Sequence, residues 1–221
     1  MPWKAWRGRS PPLCRTVSRY IRMNQVTGVI LAGGKSRRMG RDKAFLPFGR
    51  GVLIERVIAV LRRVTDEILL ITNTPEQYRR FALPMFADVI PEAGSLGGIY
   101  TGLVYARTPY SLCLACDMPF VKPEFLRFLC GIAPEADVVI PRNADDFQPL
   151  CAVYAQACRE PIQQCVQRGR LKITNFFDQV RVRVVEGEEL ARYDPQDLMF
   201  FNANTPEEYE QARRLLAAEG C

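Results

Sequence analysis

The stretch Val29-Ile-Leu-Ala-Gly-Gly-Lys-Ser-Arg-Arg-Met-Gly-Arg-Asp-Lys43 carries more information than any other part of the 221-residue sequence. It begins inside an apolar run at residues 26–31, which predicts a buried parallel strand. The glycine pair Gly33-Gly34 ends that run, and a set of cations follows: Lys35, Arg37, Arg38, Arg41 and Lys43. Glycines let backbone N–H groups approach an anion closely, and cations neutralise it. The stretch therefore predicts a phosphate-binding loop at the end of the first strand.

Other interpretations of this loop fit less well. A plain surface turn with a solvated basic patch seldom combines paired glycines with so many cations after a buried strand. Gly34-Lys35-Ser36 matches the end of the P-loop pattern G-x-x-x-x-G-K-[ST], but the first glycine of that pattern would stand at position 29, which is Val29. The dinucleotide-binding pattern G-x-G-x-x-G is absent as well.

Length and composition indicate one domain with a full core. The chain is 48% hydrophobic, and residues 23–221 form a stretch of ordinary domain size without an inner linker or repeat. No apolar run approaches the roughly 20 residues that a membrane-spanning helix needs. We therefore expect a soluble, cytoplasmic protein without a membrane partner.

The formal net charge of +6 comes from the N-terminal segment, residues 1–22. That segment holds six of the 30 Lys and Arg residues and no acid, so the remaining 24 cations equal the 24 Asp and Glu residues. A neutral body argues against nucleic acid as a partner. Residues 1–22 are predicted to be a basic extension, either disordered or an over-extension upstream of a true start at Met23.

The cysteines do not indicate a disulfide framework or a zinc site. Eight cysteines in a chain of this length are too sparse for a disulfide scaffold, and the sequence contains no histidine. Cys113 and Cys116 lie on one predicted buried strand without a second pair, so zinc is not expected. We interpret these two residues and Cys151 as small core side chains.

Strand and helix patterns alternate along the chain. Strands are predicted at residues 26–31, 67–71, 87–90, 111–116, 137–141, 150–154, 180–185 and 198–201, and helices at 52–63, from Thr74-Pro75 onward, and at 99–106, 123–129, 157–168 and 205–218. Residues 94–98 are predicted to form a glycine turn. This order indicates a three-layer α/β fold of Rossmann-like type, with a mostly parallel sheet covered by helices on both faces.

Polar residues follow several of the predicted strands. Asn73 comes after the second strand, Asp88 after the third and Asp117 after the apolar strand at residues 111–116. Because ligands bind beyond the carboxyl ends of strands in open parallel sheets, these side chains are expected in one crevice with the glycine loop. An aspartate in this place can also be a helix N-cap or a turn residue. The functional interpretation of Asp117 is a Mg²⁺ ligand, since Mg²⁺ uses one or two carboxylates together with substrate phosphates.

Residues 31–43 resemble the signature L-A-G-G-x-S-x-R-M-G-x-D-K of the molybdenum cofactor guanylyltransferases, a branch of the Rossmann-like nucleotidyltransferases. The resemblance implies that the backbone of Leu31, Ala32 and Gly33 contacts the nucleotide. It also implies that Arg38 and Lys43 are catalytic residues that hold the phosphates, Lys43 being a nucleotide-binding residue as well.

The same resemblance extends to the rest of the chain. It implies nucleotide binding by Asn73, Asp88 and Asp117, and catalysis and Mg²⁺ binding by Asp117. Asn202 or Asn204, in Phe201-Asn-Ala-Asn-Thr-Pro-Glu207, would reach the metal or the pterin, and the Gln148-Pro-Leu150 segment and Arg170 would lie on the molybdopterin side. One departure is Ser95 in Gly94-Ser-Leu-Gly-Gly98, where the family has proline; it puts the fit around the base in question, not the reaction.

The implied function is transfer of GMP from GTP to molybdopterin, with release of pyrophosphate. Mg²⁺ is the implied cofactor, and GTP, molybdopterin and molybdoenzyme-specific delivery proteins are the implied partners. One alternative is a cytidylyltransferase or a sugar-1-phosphate nucleotidyltransferase, although the Ala-Gly-Gly at residues 32–34 favours guanine over the Ala-Ala-Gly of cytidylyl relatives. A second alternative, from another class, is a GTP-binding adaptor without turnover.

Overall fold

The computed structural model describes residues 23–33, 42–144, 146–203 and 205–218. The strands are β1 (Val26–Leu31), β2 (Pro47–Phe48), β3 (Gly51–Val52), β4 (Glu67–Ile71), β5 (Met85–Phe86), β6 (Tyr110–Ala115), β7 (Val138–Asn143), β8 (Asp146–Phe147), β9 (Cys151–Ala155) and β10 (Val182–Val185). The α-helices are α1 (Leu53–Leu61), α2 (Pro75–Tyr78), α3 (Gly94–Tyr105), α4 (Pro123–Gly131), α5 (Arg159–Gln167), α6 (Gly187–Ala191) and α7 (Pro206–Ala218).

The central sheet has the strand order β10-β7-β9-β6-β1-β4-β5, with β8 paired to β7. β1 lies in the middle and pairs in parallel with β4 on one side and with β6 on the other. β9 is antiparallel to both of its neighbours, β6 and β7. Consequently β9 begins at the edge of the sheet where β6 and β7 end.

Helices cover both faces of the sheet, as the alternation of side chains along β1 illustrates. Ile30 belongs to a core cluster that α1 and α4 share, with Ile54 and Phe125 among its members. Its neighbour Val29 belongs to the opposite cluster, which includes Ile99 of α3 and Ile162 of α5. Both faces of a parallel strand are buried in such an arrangement, which is why the sequence of β1 is mostly apolar. The predicted three-layer α/β fold is confirmed.

A smaller third cluster joins α7 to the rest of the molecule. Phe48 of the β2–β3 hairpin packs with Phe120 and with Tyr209 and Leu216 of α7. The Tyr209 hydroxyl also donates a hydrogen bond to the carbonyl oxygen of Pro47. The C-terminal helix is thus fastened to the hairpin that follows the glycine-rich stretch.

The strand predicted at residues 198–201 is wrong. These residues form a turn, and the carboxylate of the buried Asp194 accepts hydrogen bonds from the N–H groups of Leu198 and Met199, at 3.0 and 2.8 Å. Met199 and Phe200 are buried in the core, which explains the apolar signal. A side chain, not a neighbouring strand, satisfies the backbone here.

The strand predicted at residues 87–90 is displaced as well, since β5 covers Met85–Phe86 only. The N–H of Asp88 donates to the side chain of Asn73, and the N–H of Val89 donates to the Thr101 hydroxyl, both at 3.0 Å. Likewise, residues 94–98 are not a separate turn but the first part of α3, which begins at Gly94 and not near residue 99.

Several expectations lie outside the described residues. These are the extension at residues 1–22, the loop from Gly34 to Arg41 with Arg38, and Asn204. Within the described part of the chain, none of the helices combines the length and the apolar character needed to cross a membrane. The six cysteines described there are all free thiols, and Cys113 and Cys151 are buried as expected, whereas Cys116 is partly exposed.

Candidate nucleotide site

The carboxyl ends of β4, β1 and β6 lie side by side at one edge of the sheet. Leu31 is in register with Ile71 on one side and with Ala115 on the other. The pairing continues one residue further, because the Ala32 N–H donates to the Ile71 carbonyl at 2.9 Å and the Cys116 N–H to the Leu31 carbonyl at 3.3 Å. The three strands therefore end at the same level of the sheet, and the segments that follow them begin next to one another.

Gly33 turns the chain away at the end of β1. Its φ of +120° lies in the region that side-chain-bearing residues rarely adopt. A Cβ at this position would lie 3.6 Å from the Thr72 hydroxyl oxygen and 4.0 Å from the backbone nitrogen of Asn73. The turn after β1 thus runs directly beside the turn after β4.

Asn73 and Asp88 form a reciprocal pair at the same edge. The Asn73 side-chain amide donates to a carboxylate oxygen of Asp88 at 2.8 Å, and the Asp88 N–H donates back to the Asn73 amide oxygen at 3.0 Å. Gly98 of α3 lies close to this pair: a Cβ there would be 3.9 Å from the other Asp88 oxygen and 2.3 Å from a methyl group of Leu31. The predicted nucleotide-binding residues Leu31, Asn73 and Asp88 are therefore neighbours.

Lys43 and Asp117 lie close enough to affect each other electrostatically. Lys43 is only 9% exposed and Asp117 is half-buried. Burial raises the pKa of Asp117 above its usual value, and the Lys43 ammonium holds part of that rise back. Burial likewise raises the pKa of the adjacent Cys116 thiol, with the Asp117 carboxylate next in effect and Lys43 opposing both. A buried cation beside a desolvated carboxylate is a favourable place for a phosphate–metal pair.

A cavity of about 240 Å³ opens beside Asp117. Its wall combines the end of β6 with the segment before β9 and with two later loops; the lining residues are Ala115, Asp117, Met118, Gln148, Pro149, Leu150, Ile173 and Asn202. Gln148, Leu150 and Asn202, which the family resemblance implies on the acceptor side, thus meet at Asp117. Arg170 is exposed and donates to the Asn175 carbonyl at 3.3 Å, and the cavity lining does not include it.

The donor set at Asp117 fits a metal ion that is shared with a substrate. Among the described residues, no group of three or more His, Cys, Asp or Glu side chains could form a metal site by itself. Asp117 contributes one desolvated carboxylate, and the Asn202 amide lines the same cavity. Mg²⁺ needs only one or two carboxylates when phosphates and water complete its shell.

Some residues around the site carry no assignment from the sequence. Asp42 belongs to the glycine-rich stretch, and its carboxylate accepts hydrogen bonds from the Ala44 N–H and from the buried Tyr78 hydroxyl. Arg56 of α1 donates to the Pro119 carbonyl at 2.7 Å and so ties down the loop after Asp117. Only Asp42 had a signal in the sequence, since it precedes Lys43; the other two depend on contacts distant along the chain.

The fold is that of the nucleotidyltransferases. Residues 28–184 match the family model described as the MobA-like NTP transferase domain. A relative named probable molybdenum cofactor guanylyltransferase, from Pelotomaculum thermopropionicum, is 40% identical over 191 residues, which cover 86% of this chain and 93% of the relative. The chain belongs to the molybdenum cofactor guanylyltransferase family, as the resemblance of residues 31–43 implied.

Two further comparisons agree with this assignment. The molybdenum cofactor guanylyltransferase of Desulfosudis oleivorans is 37% identical over 198 residues, covering 89% of this chain and 98% of that protein. The crystal structure of molybdopterin-guanine dinucleotide biosynthesis protein A from Archaeoglobus fulgidus has a TM-score of 0.76 at 27% identity, covering 87% of this chain and 99% of that one. The similarity therefore extends over nearly the whole of each relative.

Proposed function

We propose that this protein transfers GMP from GTP to the terminal phosphate of molybdopterin, releasing pyrophosphate and forming the guanine dinucleotide cofactor. The family of the chain supports this reaction, because its relatives carry the name guanylyltransferase. The observation that carries the proposal is the position of the buried Lys43 beside Asp117, next to a cavity, at the edge where β1 and β6 end.

The chemistry is a phosphoryl substitution in which the protein positions two anions. A phosphate oxygen of molybdopterin forms a bond to the α-phosphorus of GTP, and the bond from that phosphorus to the bridging oxygen breaks, so that the electron pair leaves with pyrophosphate. The nucleophile is already anionic and needs no covalent enzyme intermediate. Catalysis then consists of alignment and charge neutralisation.

Lys43 is the proposed binding partner of the triphosphate. The residue is almost fully buried, and the reduced screening by water in such a place strengthens the attraction of an ammonium group to phosphate oxygens. The backbone at Leu31–Gly33 lies beside the segment after β4, and it is the proposed main-chain contact for the nucleotide. Arg38 remains a proposed second cation on the evidence of the sequence motif.

Asp117 is the proposed Mg²⁺ ligand, with Asn202 as the neighbouring amide. The bound metal would supply Lewis acidity at the α-phosphate. For that role the Asp117 carboxylate has to be ionised, and the Lys43 charge favours the ionised form against the effect of burial. Lys43 thus has a second use, which is to keep the neighbouring ligand charged.

The Asn73–Asp88 pair is the proposed base-reading element. A carboxylate held by an amide at 2.8 Å is a fixed acceptor, and guanine presents two adjacent N–H donors on one edge whereas cytosine presents one amino group. This supports GTP over CTP. Molybdopterin, which receives the GMP, would occupy the cavity lined by Gln148, Leu150 and Asn202. The proposal includes a cytoplasmic location and delivery proteins that receive the product.

Replacing Asp117 by asparagine tests the reaction and the metal role together. The variant keeps the shape of the side chain but removes its charge, and we expect turnover to fall by at least about 100-fold. The measurement is pyrophosphate release with GTP, Mg²⁺ and molybdopterin, with the dinucleotide identified by mass spectrometry and CTP as competitor. Asp66→Asn is the matched control, because Asp66 is exposed and precedes β4 at the opposite edge of the sheet.

Each result has a definite meaning. Near-normal turnover of Asp117→Asn with Mg²⁺ would remove the metal role from Asp117. If the wild-type protein binds GTP but never releases pyrophosphate, the non-catalytic adaptor is the better description. If CTP is used in preference to GTP, the protein is a cytidylyltransferase of the same fold.

A further inference from the structure

The turn that carries Lys43 is held by a side chain from a different part of the chain. Lys43–Phe45 forms a single 3₁₀ turn, and Asp42 is its N-cap: one carboxylate oxygen accepts from the Ala44 N–H at 3.0 Å. The other carboxylate oxygen accepts from the Tyr78 hydroxyl at 2.5 Å. Tyr78 is the last residue of α2, so the helix that follows β4 touches the turn that follows the glycine-rich stretch.

Aromatic packing reinforces the same contact. The ring of Phe45, at the end of the turn, lies 4.9 Å from the Tyr78 ring, and both are near Phe81. The Arg80 guanidinium lies over the rings of Phe45 and Phe81, at 5.3 and 4.8 Å from their centroids. The cap at one end of the turn and the ring at its other end are therefore both fixed by residues 78–81.

The Tyr78 hydroxyl is suited to a permanent role as donor. Tyr78 is 0% exposed, so no water replaces its hydrogen bond. Burial, and next the hydrogen bond to Asp42, raise the pKa of Tyr78 far above its usual value. The hydroxyl keeps its proton throughout the working pH range, and a hydrogen bond from a neutral donor to a half-buried carboxylate belongs to the stronger class.

We propose that Tyr78 is a positioning residue for nucleotidyl transfer: its hydroxyl holds the Asp42 carboxylate, and through it the turn that presents Lys43 to the triphosphate. The inference rests on the role of Lys43 proposed above. Tyr78 itself touches neither substrate nor metal. Since Asn73 precedes α2 and Tyr78 ends it, the segment after β4 would orient both the base and the phosphates of one nucleotide.

A double-mutant cycle between Tyr78 and Lys43 tests the inference. Tyr78→Phe removes only the hydroxyl and keeps the ring. We expect it to weaken GTP binding in the presence of Mg²⁺, measured by titration calorimetry, by about 5- to 10-fold in the otherwise wild-type protein. In a Lys43→Ala background the same change should cost less than about 2-fold, because the group through which Tyr78 acts is gone.

Tyr209→Phe is the matched control for loss of a hydroxyl. The Tyr209 hydroxyl donates to a backbone carbonyl, that of Pro47, and Tyr209 is also buried. Its removal should leave the affinity for GTP within about 2-fold in both backgrounds, even if it lowers the melting temperature as much as Tyr78→Phe does. A general loss of stability therefore cannot produce the coupling expected for Tyr78.

The inference is overturned if Tyr78→Phe leaves GTP affinity unchanged, or if it causes the same fold-loss with and without Lys43. If Tyr78→Phe yields no folded protein, Asp42→Asn takes its place in the cycle and must show the same coupling to Lys43. Product formation is scored separately: coupling without pyrophosphate release would leave Tyr78 assigned and remove the transferase function. Pyrophosphate release without coupling between Tyr78 and Lys43 would support the transferase function and remove the positioning role of Tyr78.

Discussion

Asp117 occupies an environment that opposes its own charge. Burial raises its pKa, Glu208 adds to that rise, and Lys43 compensates only in part. The folded protein therefore favours the protonated carboxyl group more than the unfolded chain does. Above the raised pKa the ionised form lowers the free energy of unfolding, and this cost shrinks as the pH falls from the raised value and is gone below the ordinary value of 3.8. The residue is kept charged at the expense of stability, as is common at functional sites.

It follows that Asp117→Asn should stabilise the protein while it abolishes turnover. In the absence of Mg²⁺ and nucleotide at pH 7, we expect the melting temperature to rise by roughly 2 to 4 °C, which corresponds to about 1 kcal/mol in a chain of this size. Scanning calorimetry in EDTA gives the measurement.

Asp194→Asn is expected to change the melting temperature in the opposite direction. Its carboxylate accepts two backbone N–H groups in a buried position, and an amide can accept only one of them well. That variant should melt lower than the wild type. A lowered melting temperature for Asp117→Asn as well would mean that Asp117 has a structural role, such as a turn cap.

At this scale, the sequence predicts residue types at strand ends better than it predicts their partners. Gly33, Asn73 and Asp117 could be named because each directly follows an apolar strand. Tyr78 and Arg56 could not, because they lie on helix segments that read as ordinary amphipathic packing. Their hydroxyl and guanidinium groups meet Asp42 and Pro119 only through distant folding contacts.

Among the elements, α3 shows how closely a helix approaches the central strand. A Cβ on Gly102 would lie 2.6 Å from a methyl group of Val29 and within 3.3 Å of two more of its side-chain atoms. A Cβ on Gly98 would meet the end of the Leu31 side chain at 2.3 Å. Gly98 and Gly102 thus allow the close approach of α3 to β1, and residues 94–98 belong to this helix and not to the turn that the sequence predicts.

Alanine at these two positions should separate stability from binding. Gly102→Ala presses on the rigid, β-branched Val29 and should lower stability by about 1 to 3 kcal/mol, with the GTP KM unchanged. Gly98→Ala displaces the flexible end of Leu31 next to Asp88, and its packing cost is offset by about 1 kcal/mol of helix propensity. We expect near-neutral stability and a GTP KM raised roughly 3- to 10-fold.

Melting curves and initial rates of pyrophosphate release decide this prediction. Equal KM values for the two variants would show that Leu31 and Asp88 do not contact the nucleotide. A shift in KM for Gly102→Ala alone would place the contact deeper along β1 than the resemblance implies.

At the β10 edge of the sheet, an ion pair between Asp137 and Arg181 links the starts of β7 and β10. The Arg181 N–H and guanidinium donate to both carboxylate oxygens of Asp137, at 2.9 to 3.2 Å, just before β7 and β10 begin. Hydrogen bonding to Arg181 holds the pKa of Asp137 below its usual value of 3.8. Its contribution to stability is therefore complete above the ordinary value and is lost as the pH falls through the lowered one.

Asp137→Asn should consequently lower the melting temperature at pH 7, and the gap to the wild type should narrow as the pH is lowered below about 4. Turnover should be unaffected, because the pair lies at the amino ends of the strands, away from Asp117. Thermal melts across pH 2 to 8 test this; a gap that widens in acid would contradict the assignment.

The layered architecture was predictable from the alternation of apolar strands and helical patterns, and so was the edge that collects the polar residues. The direction of β9 was not. Its sequence is mostly apolar, like that of β6, and is compatible with either direction; the direction is set by the chain reversal through β8.

Because β9 runs antiparallel to β6, the residues just before it line the cavity beside Asp117. The two sides of the site therefore come from separate parts of the sequence. Leu31, Asn73, Asp88 and Asp117 all precede residue 118, whereas Gln148, Leu150 and Asn202, which line the cavity beside Asp117, come later in the chain. With the residue roles proposed above, exchange of the later segment by recombination would alter the molecule that receives the nucleotide and keep the residues proposed to bind the donor. A single breakpoint after Asp117 would suffice, so new acceptors can arise on this scaffold without reinventing how GTP is held.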